Sequence, residues 1–251
     1  MTTWLVLKVV LLVASLLVHG AQASTTDPSS EHVLDDDLQV LSIVPGVWRH
    51  VSHREMEGYG RVPANGLLVI GEGAAALVDT PWTDEQTGKL FDWVEERFGV
   101  KIEHVIATHS HGDCMGGLAE AHRRGASSYS SALTAEFAAS DGGSVPGTTF
   151  TDRLRIGLGE TDLELRFFGG GHTRDNIVVW IPRAKTLFGG CLVKRDGGST
   201  GYIDEADLEA WPETLRKVKK SFPHAEIVVP GHGRPGTLEY VDYTIELVES
   251  L

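Results

Sequence analysis

Within seven residues, Thr108-His109-Ser110-His111-Gly112-Asp113-Cys114, the chain places two imidazoles, a carboxylate and a thiol directly behind an apolar run, Val105-Ile106-Ala107. Imidazole and carboxylate are the usual ligands of a borderline metal such as zinc. The apolar run reads as a buried strand. On an extended backbone side chains repeat every second residue, so His109, His111 and Asp113 are expected on one side of the segment that leaves that strand. A single His-x-His is a weak signal, and the reading depends on whether the chain supplies further ligands.

Three more stretches do so. Gly169-Gly170-Gly171-His172, Gly189-Gly190-Cys191 and Pro230-Gly231-His232-Gly233 each set a His or Cys in a glycine-rich turn, where the backbone can bend sharply and a ligand can approach closely. With the opening motif they make six ligands, which divide into two sets of three. His109, His111 and His172 form an all-imidazole set; Asp113, Cys191 and His232 form the other. Three protein ligands per zinc leave positions open, which marks catalytic rather than structural sites. Two such ions about 3.5–4 Å apart can share one hydroxide, so the chemistry expected is hydrolysis without a side-chain nucleophile. His32, His50, His53, His104, His122 and His224 lack this context and read as surface or packing residues.

The elements that must carry these turns follow from periodicity and punctuation. Strands are expected at 38–44 and 47–51 about the turn Pro45-Gly46, and residues 52–63 read as a hairpin loop able to close over a substrate. Strands at 65–70 and 74–78 lead to a helix with a capping box at Thr83 and Gln86, a buried face of Leu90, Phe91, Val94 and Phe98, and Gly99 as its stop. A strand at 101–107 delivers the His-rich loop. Helices are expected at 116–125 and 131–139 with a short strand, 126–130, between them. Residues 140–148 read as a junction between halves. The second half repeats the pattern, with strands near 150–157, 162–168, 177–181 and 186–190. A helix with Pro212 in its first turn and Leu215 and Val218 facing inward follows, then a strand at 225–229 and a closing helix at 238–248. Two such halves imply two sheets packed face to face, with helices outside.

The ends and the composition bound the setting. The run Trp4–Val18 and the pattern Ala21-Gln22-Ala23 read as a secretory signal cleaved after Ala23, with residues 24–37 a flexible leader and 38–251 the folded domain. The apolar run is short for a membrane span, so a soluble, exported protein is expected, without a membrane partner. A net charge of −13 disfavours nucleic acid, whose phosphates need Lys and Arg contacts. In an exported protein two cysteines suggest a disulfide, but Cys114 and Cys191 both fall beside the ligand set, and a metal-bound Cys191 thiolate is the reading preferred here.

With these motifs in order, "VPANGLLVI" (62–70), "DTPWTDEQT" (79–87), "HSHGDCMGG" (109–117), "GGGHTRDNIVVW" (169–180), "LFGGCLVK" (187–194) and "VVPGHG" (228–233), the chain from about residue 38 onward resembles the metallo-β-lactamases of the dizinc, broad-spectrum subclass. The resemblance implies an α/β fold, a four-layer αββα sandwich of two mixed β-sheets. It implies two Zn2+ per chain, the first on His109, His111 and His172 and the second on Asp113, Cys191 and His232. It implies hydrolysis of the β-lactam amide in penicillins, cephalosporins and carbapenems, a periplasmic location and a role in antibiotic resistance; a monomer is expected. Asp113 would also orient the nucleophile, and Lys194 would bind the substrate carboxylate. Tyr202 stands where the subclass often has an asparagine suggested to polarise the lactam carbonyl. Thioesterases, lactonases and nucleases of the wider superfamily usually follow the motif aspartate with histidine and bridge the metals with aspartate, where this chain has Cys114 and Cys191. A thioester or lactone hydrolase, and a non-catalytic zinc-binding protein, are the alternatives carried forward.

Overall fold

In the computed structural model, which describes residues 30–251, period-two patterning sorts the strands into two sheets that bury both faces. The first sheet contains β1 (Glu31–Asp35), β2 (Leu38–Val44), β3 (Val47–Met56), β4 (Gly60–Ile70), β5 (Ala74–Val78), β6 (Lys101–Ile106), β7 (Ser127–Ser131) and β8 (Thr148–Phe150), in that spatial order. Its pairs are antiparallel as far as β5 and parallel from there to β8. The second sheet holds β9 (Arg153–Leu158), β10 (Thr161–Phe167), β11 (Ile177–Ile181), β12 (Thr186–Gly190) and β13 (Ile227–Pro230); only β12 and β13 run parallel.

Alternate residues of one strand go to different cores. Leu67 and Val69 of β4, Ala76 and Val78 of β5, and Ile177, Val179 and Ile181 of β11 meet between the sheets. Leu68, Ala75 and Leu77 point the other way, onto α1 (Asp84–Phe98) and α3 (Leu118–Arg123) through Leu90, Val94, Leu118 and Ala121. On the far side Val178, Leu187 and Val228 pack on α5 (Trp211–Ser221) and α6 (Glu239–Glu249) through Trp211, Leu215, Val218 and Val241. These three cores separate four layers, so the chain is an αββα sandwich. The expected α1 signals operate: Thr83 Oγ1 accepts from the Gln86 N–H at 3.2 Å, and Gly99 closes the helix at φ 68°.

Four expectations are corrected. Residues 31–35 of the supposed leader form β1, because their backbone pairs with β2 from Glu31↔Leu41 to Asp35↔Leu38; residues 1–29, with the signal reading, lie outside the described residues. The loop at 52–63 is the far end of β3 and β4, paired from Ser52↔Ala64 to Met56↔Gly60; backbone ladders need no side-chain period, and beyond Ser52 and Ala64 no residue at this end of the hairpin is fully buried to impose one. The strand near 150–157 is two strands, β8 in the first sheet and β9 in the second, so the chain changes sheet at 151–152 rather than at 140–148. The helix at 116–125 is preceded by a separate turn, α2 (Gly112–Met115), and begins at Leu118. The other short helix of the first half is α4 (Ala132–Ser140).

Candidate metal centre

All six expected ligand residues lie at one end of the sandwich, at the ends of strands, in loops between them or, for Asp113, in the short α2. Parallel β5 and β6 end side by side, and so do β12 and β13, so the turns after them converge. At the end of β5, Asp79 adopts φ 58°, a left-handed conformation that costs a non-glycine residue about 1 kcal/mol or more. Two of the bonds that hold it there come from Thr108. The Thr108 N–H donates to Asp79 Oδ1 and the Thr108 hydroxyl donates to Oδ2, both at 2.7 Å. Burial pushes the Asp79 carboxyl well above its ordinary range, against the bonds from Thr108. Thr108 in turn accepts the Ile177 N–H on its carbonyl at 2.9 Å, which ties the His-rich loop to the second sheet. Asp79 lies in the motif "DTPW", yet nothing in the sequence showed that it positions the loop.

After His111 the backbone does not continue extended. His111 is the N-cap of α2, and Asp113 sits in its first turn. Asp113 therefore reaches His109 across the bend that leads into α2 rather than by strand alternation, with Oδ1 3.7 Å from His109 Nε2. The three residues do meet, through a different local geometry.

The two sets of three are both formed. His109, His111 and His172 bring their ring centroids to 4.6, 5.2 and 5.3 Å of one another. Cys191 Sγ lies 3.2 Å from Asp113 Oδ2 and 3.3 Å from His232 Nε2, and His232 Nε2 lies 3.4 Å from Asp113 Oδ2. Within each set the possible ligand atoms lie within 4.8 Å of one another. Three of the four imidazoles are also fixed from behind. His232 Nδ1–H donates to Pro63 O, His109 Nδ1 meets Cys114 Sγ at 3.2 Å, and His111 Nε2 meets Glu205 Oε2 at 3.0 Å. Such outer partners select the tautomer and aim the remaining nitrogen. Cys114 thus supports a ligand, and both cysteines are free and buried.

A cation fits this cluster on the chemistry of its donors. Among the described residues, His109 Nε2 and His172 Nδ1 are buried with no hydrogen-bond partner, a costly state for an imidazole nitrogen unless something else satisfies it. Burial pushes the Asp113 carboxyl up, but the bond with His232 and the charges of the neighbouring imidazoles outweigh it and hold the group well below its usual range. Burial and the nearby Lys194 hold His172 neutral. The hydrogen bond from Cys114 lowers Cys191 well below an ordinary thiol, with further help from His232. Carboxylate, thiolate and the neutral imidazole of His172 are forms that bind a metal; burial pushes His232 down, but Cys191 and Asp113 outweigh it and hold His232 well above its usual range, so a metal binding there displaces its proton. Gly231 is required by space, since a Cβ there would lie 2.4 Å from Cys191 Sγ.

Lys194 lies in the same cleft, 7% exposed, with Nζ 5.5 Å from the centre of the Trp211 ring. Among the described residues it has no ion-pair partner, and burial lowers its pKa while Cys191 and Asp113 raise it. Tyr202 stands at the rim, its ring edge-on to His111 at 5.7 Å and its hydroxyl donating to Glu205 Oε1 at 3.4 Å. Sequence reasoning missed Glu205, Asn65 and Arg49, the last two of which bond to the His232 turn. Glu205 carries no motif signal by itself, and Arg49 reads as an ordinary strand residue. The cleft encloses about 640 Å³; Met56, Tyr59 and Val62 of the hairpin, with Trp82, form its apolar side.

An αββα sandwich with one imidazole triad and one carboxylate–thiol–imidazole triad at the mouth between its sheets defines a class, the metal-dependent hydrolases built on that fold. Residues 59–232 match the metallo-beta-lactamase superfamily, and the chain belongs to it. It is 44% identical over 216 residues to the metallo-beta-lactamase type 2 of Bacteroides fragilis, covering 86% of this chain and 87% of that protein. Against the metallo-beta-lactamase type 2 of Pseudomonas aeruginosa the identity is 35% over 210 residues, 84% of each. The solved metallo-beta-lactamase from Pontibacter korlensis superposes with a TM-score of 0.82 at 36% identity, covering 85% of this chain and all of that one.

Proposed function

We propose that this protein hydrolyses the amide bond of β-lactam antibiotics, penicillins, cephalosporins and carbapenems, and that it does so with two zinc ions. The first would sit on His109, His111 and His172, the second on Asp113, Cys191 and His232. The observation that carries the reading is the pair of adjoining triads, joined through Asp113, with the ammonium of Lys194, unpaired among the described residues, in the same cleft. Zinc bound there would polarise the amide carbonyl, make water nucleophilic at neutral pH and stabilise the departing nitrogen.

The chain's own residues supply the rest. Lys194, without a carboxylate of its own, binds the carboxylate of the substrate and so orients the lactam over the triads. Asp113, held as an anion between His109 and His232, accepts hydrogen bonds from the attacking water and aligns it. Met56, Val62 and Trp82 cover the apolar part of the substrate and exclude bulk water. Tyr202 can donate to the carbonyl only by leaving Glu205, so its contribution is smaller than that of Lys194.

The thiol of Cys191 in the second triad, and relatives that bear the name metallo-beta-lactamase, weigh against a thioester or lactone hydrolase and against mere zinc storage. Export to the periplasm after cleavage at Ala23, action as a monomer and a contribution to resistance belong to the same proposal; none of the helices among the described residues is long and apolar enough to cross a membrane. Purified zinc-loaded protein is expected to turn over nitrocefin, a penicillin and a carbapenem, to stop with EDTA and to recover with zinc. Failure on all three β-lactams, with thioester or lactone turnover instead, overturns the substrate assignment. Tight zinc uptake without hydrolysis of any acyl substrate overturns the enzyme.

A further inference from the structure

The turn that carries His232 is held from the opposite sheet. The Asn65 N–H donates to Gly231 O at 2.8 Å, and Asn65 Nδ2 donates to Pro230 O at 2.8 Å and to Gly233 O at 2.7 Å. Arg49 completes the set: its Nη1 donates to Gly233 O at 2.6 Å and to Asn65 Oδ1 at 3.3 Å. The guanidinium thus holds the carbonyl of the residue directly after the ligand, and fixes the amide of Asn65 with its NH2 toward the turn.

Position 49 is a costly place for a cation. Along β3, Val47 packs in the core between the sheets, and Arg49, two residues on, shares its face. Arg49 is 9% exposed, and among the described residues no carboxylate lies within ion-pair distance of it. Nearby charge does not explain its presence either, since Arg234 beside it repels it and only Glu31, which makes no ion pair with it, attracts it. A buried charge without a counter-ion is tolerated when its hydrogen bonds are strong, and the partners here are one turn carbonyl and one amide oxygen. An apolar side chain would fill this face without that cost.

We propose that Arg49 is a positioning residue for His232, holding the Pro230–Gly233 turn so that Nε2 stays directed at Cys191 and Asp113 and the second metal position stays formed. This rests on the two-zinc reading above. Loss of Arg49 leaves Gly233 O with one donor instead of two and Asn65 Oδ1 with none, so the turn loosens where it carries the ligand. The first triad lies on other loops and is untouched.

The experiment is zinc binding to the metal-free full chain by competition with a chromophoric chelator, for the wild type and for Arg49→Met, with thermal unfolding of the metal-free proteins alongside. The second zinc is expected to bind Arg49→Met about 10- to 100-fold more weakly, with the first unchanged. Arg49→Gln keeps a neutral donor for Gly233 O and is expected to recover most of the loss. With cobalt in place of zinc, the thiolate-to-metal charge-transfer band from Cys191 should weaken in Arg49→Met and return in Arg49→Gln. If Arg49→Met binds the second zinc like the wild type, with or without a lower Tm, Arg49 serves packing alone and the proposal fails. If both variants lose both zinc ions equally, the effect is global and the proposal also fails. A wild type that takes up only one zinc refutes the two-zinc reading instead, so the two failures are distinguishable.

Discussion

Replacing Lys194 by methionine should make the protein more stable and a worse enzyme, two opposite effects of one substitution. Lys194 is 7% exposed, makes no ion pair among the described residues, and has its pKa lowered by burial. Met matches its length and suits the surroundings of Trp211 and Val193, so the change removes a buried charge that has no ion-pair partner among the described residues, without leaving a hole. A gain of about 1–3 kcal/mol is expected, or a rise in Tm of about 2–10 °C for a chain of this size. The gain should be larger with zinc bound than without, because zinc adds positive charge beside the ammonium while the metal-free site offers it Cys191 and Asp113. Substrate binding moves the other way. Losing one charge-assisted bond to a carboxylate costs about 1.5–3 kcal/mol, which raises KM about 10- to 150-fold. Differential scanning calorimetry of both metal states, with steady-state kinetics on a penicillin, measures the two effects. An unchanged KM would show that Lys194 does not hold the substrate, and a lowered Tm that its charge is compensated by something other than substrate.

Further outcomes follow from single contacts. His50 is fully buried, donates to Asp79 O at 2.9 Å, and has its pKa lowered by burial to about 4 from 6.5. Its folded pKa is depressed, so the unfolded chain takes up the proton first, and stability is lost as pH falls from 6.5 to about 4, by roughly 3 kcal/mol from this group. Metal-free His50→Gln should show a correspondingly flatter dependence of Tm on pH across that window, and a parallel curve refutes the assignment. In Gly231→Ala the new Cβ would sit 2.4 Å from Cys191 Sγ and 2.7 Å from its N, so the turn must shift. A loss of about 1–3 kcal/mol is expected, seen as at least a several-fold weaker second zinc, and unchanged zinc titration would count against the second triad. Asp79→Ala removes the acceptor of both Thr108 groups, leaves the buried Thr108 N–H without that bond, and puts a φ of 58° on a residue whose side chain cannot bond locally. A destabilisation of about 1–3 kcal/mol by urea unfolding is expected, and the cost should shrink in a Thr108→Val background; an equal cost in both backgrounds would count against the hydroxyl contact.

How much was legible in the sequence depended on the range over which each signal acts. Capping of α1 by Thr83 and Gly99 is local, and the structure places both as expected. Burial alternation along β4, β5 and β11 is likewise written in adjacent residues, which is why two sheets with helices outside could be anticipated. Signals carried by backbone pairing alone were missed. Residues 31–35 and the end of the β3–β4 hairpin pair along their backbones without a regular apolar period, and 148–150 joins the first sheet because of where β7 lies, not because of its own side chains.

The chemistry divides in the same way. The sequence by itself determined which donor types exist, three imidazoles for one set and a carboxylate, a thiol and an imidazole for the other, because each stands in a motif that names it. Tertiary structure alone decided that they converge, since His109 follows a strand of one sheet and His232 a strand of the other, and both come near Asp113 only where those sheets pack. It decided that Asp113 meets His109 from the first turn of α2, across a bend, that Cys114 and Glu205 stand behind imidazoles, and that Asp79 and Arg49 hold the loops in place. The reason is physical. Ligand identity is a property of one residue, whereas orientation, burial and charge are set by neighbours that can lie more than a hundred positions away in the chain.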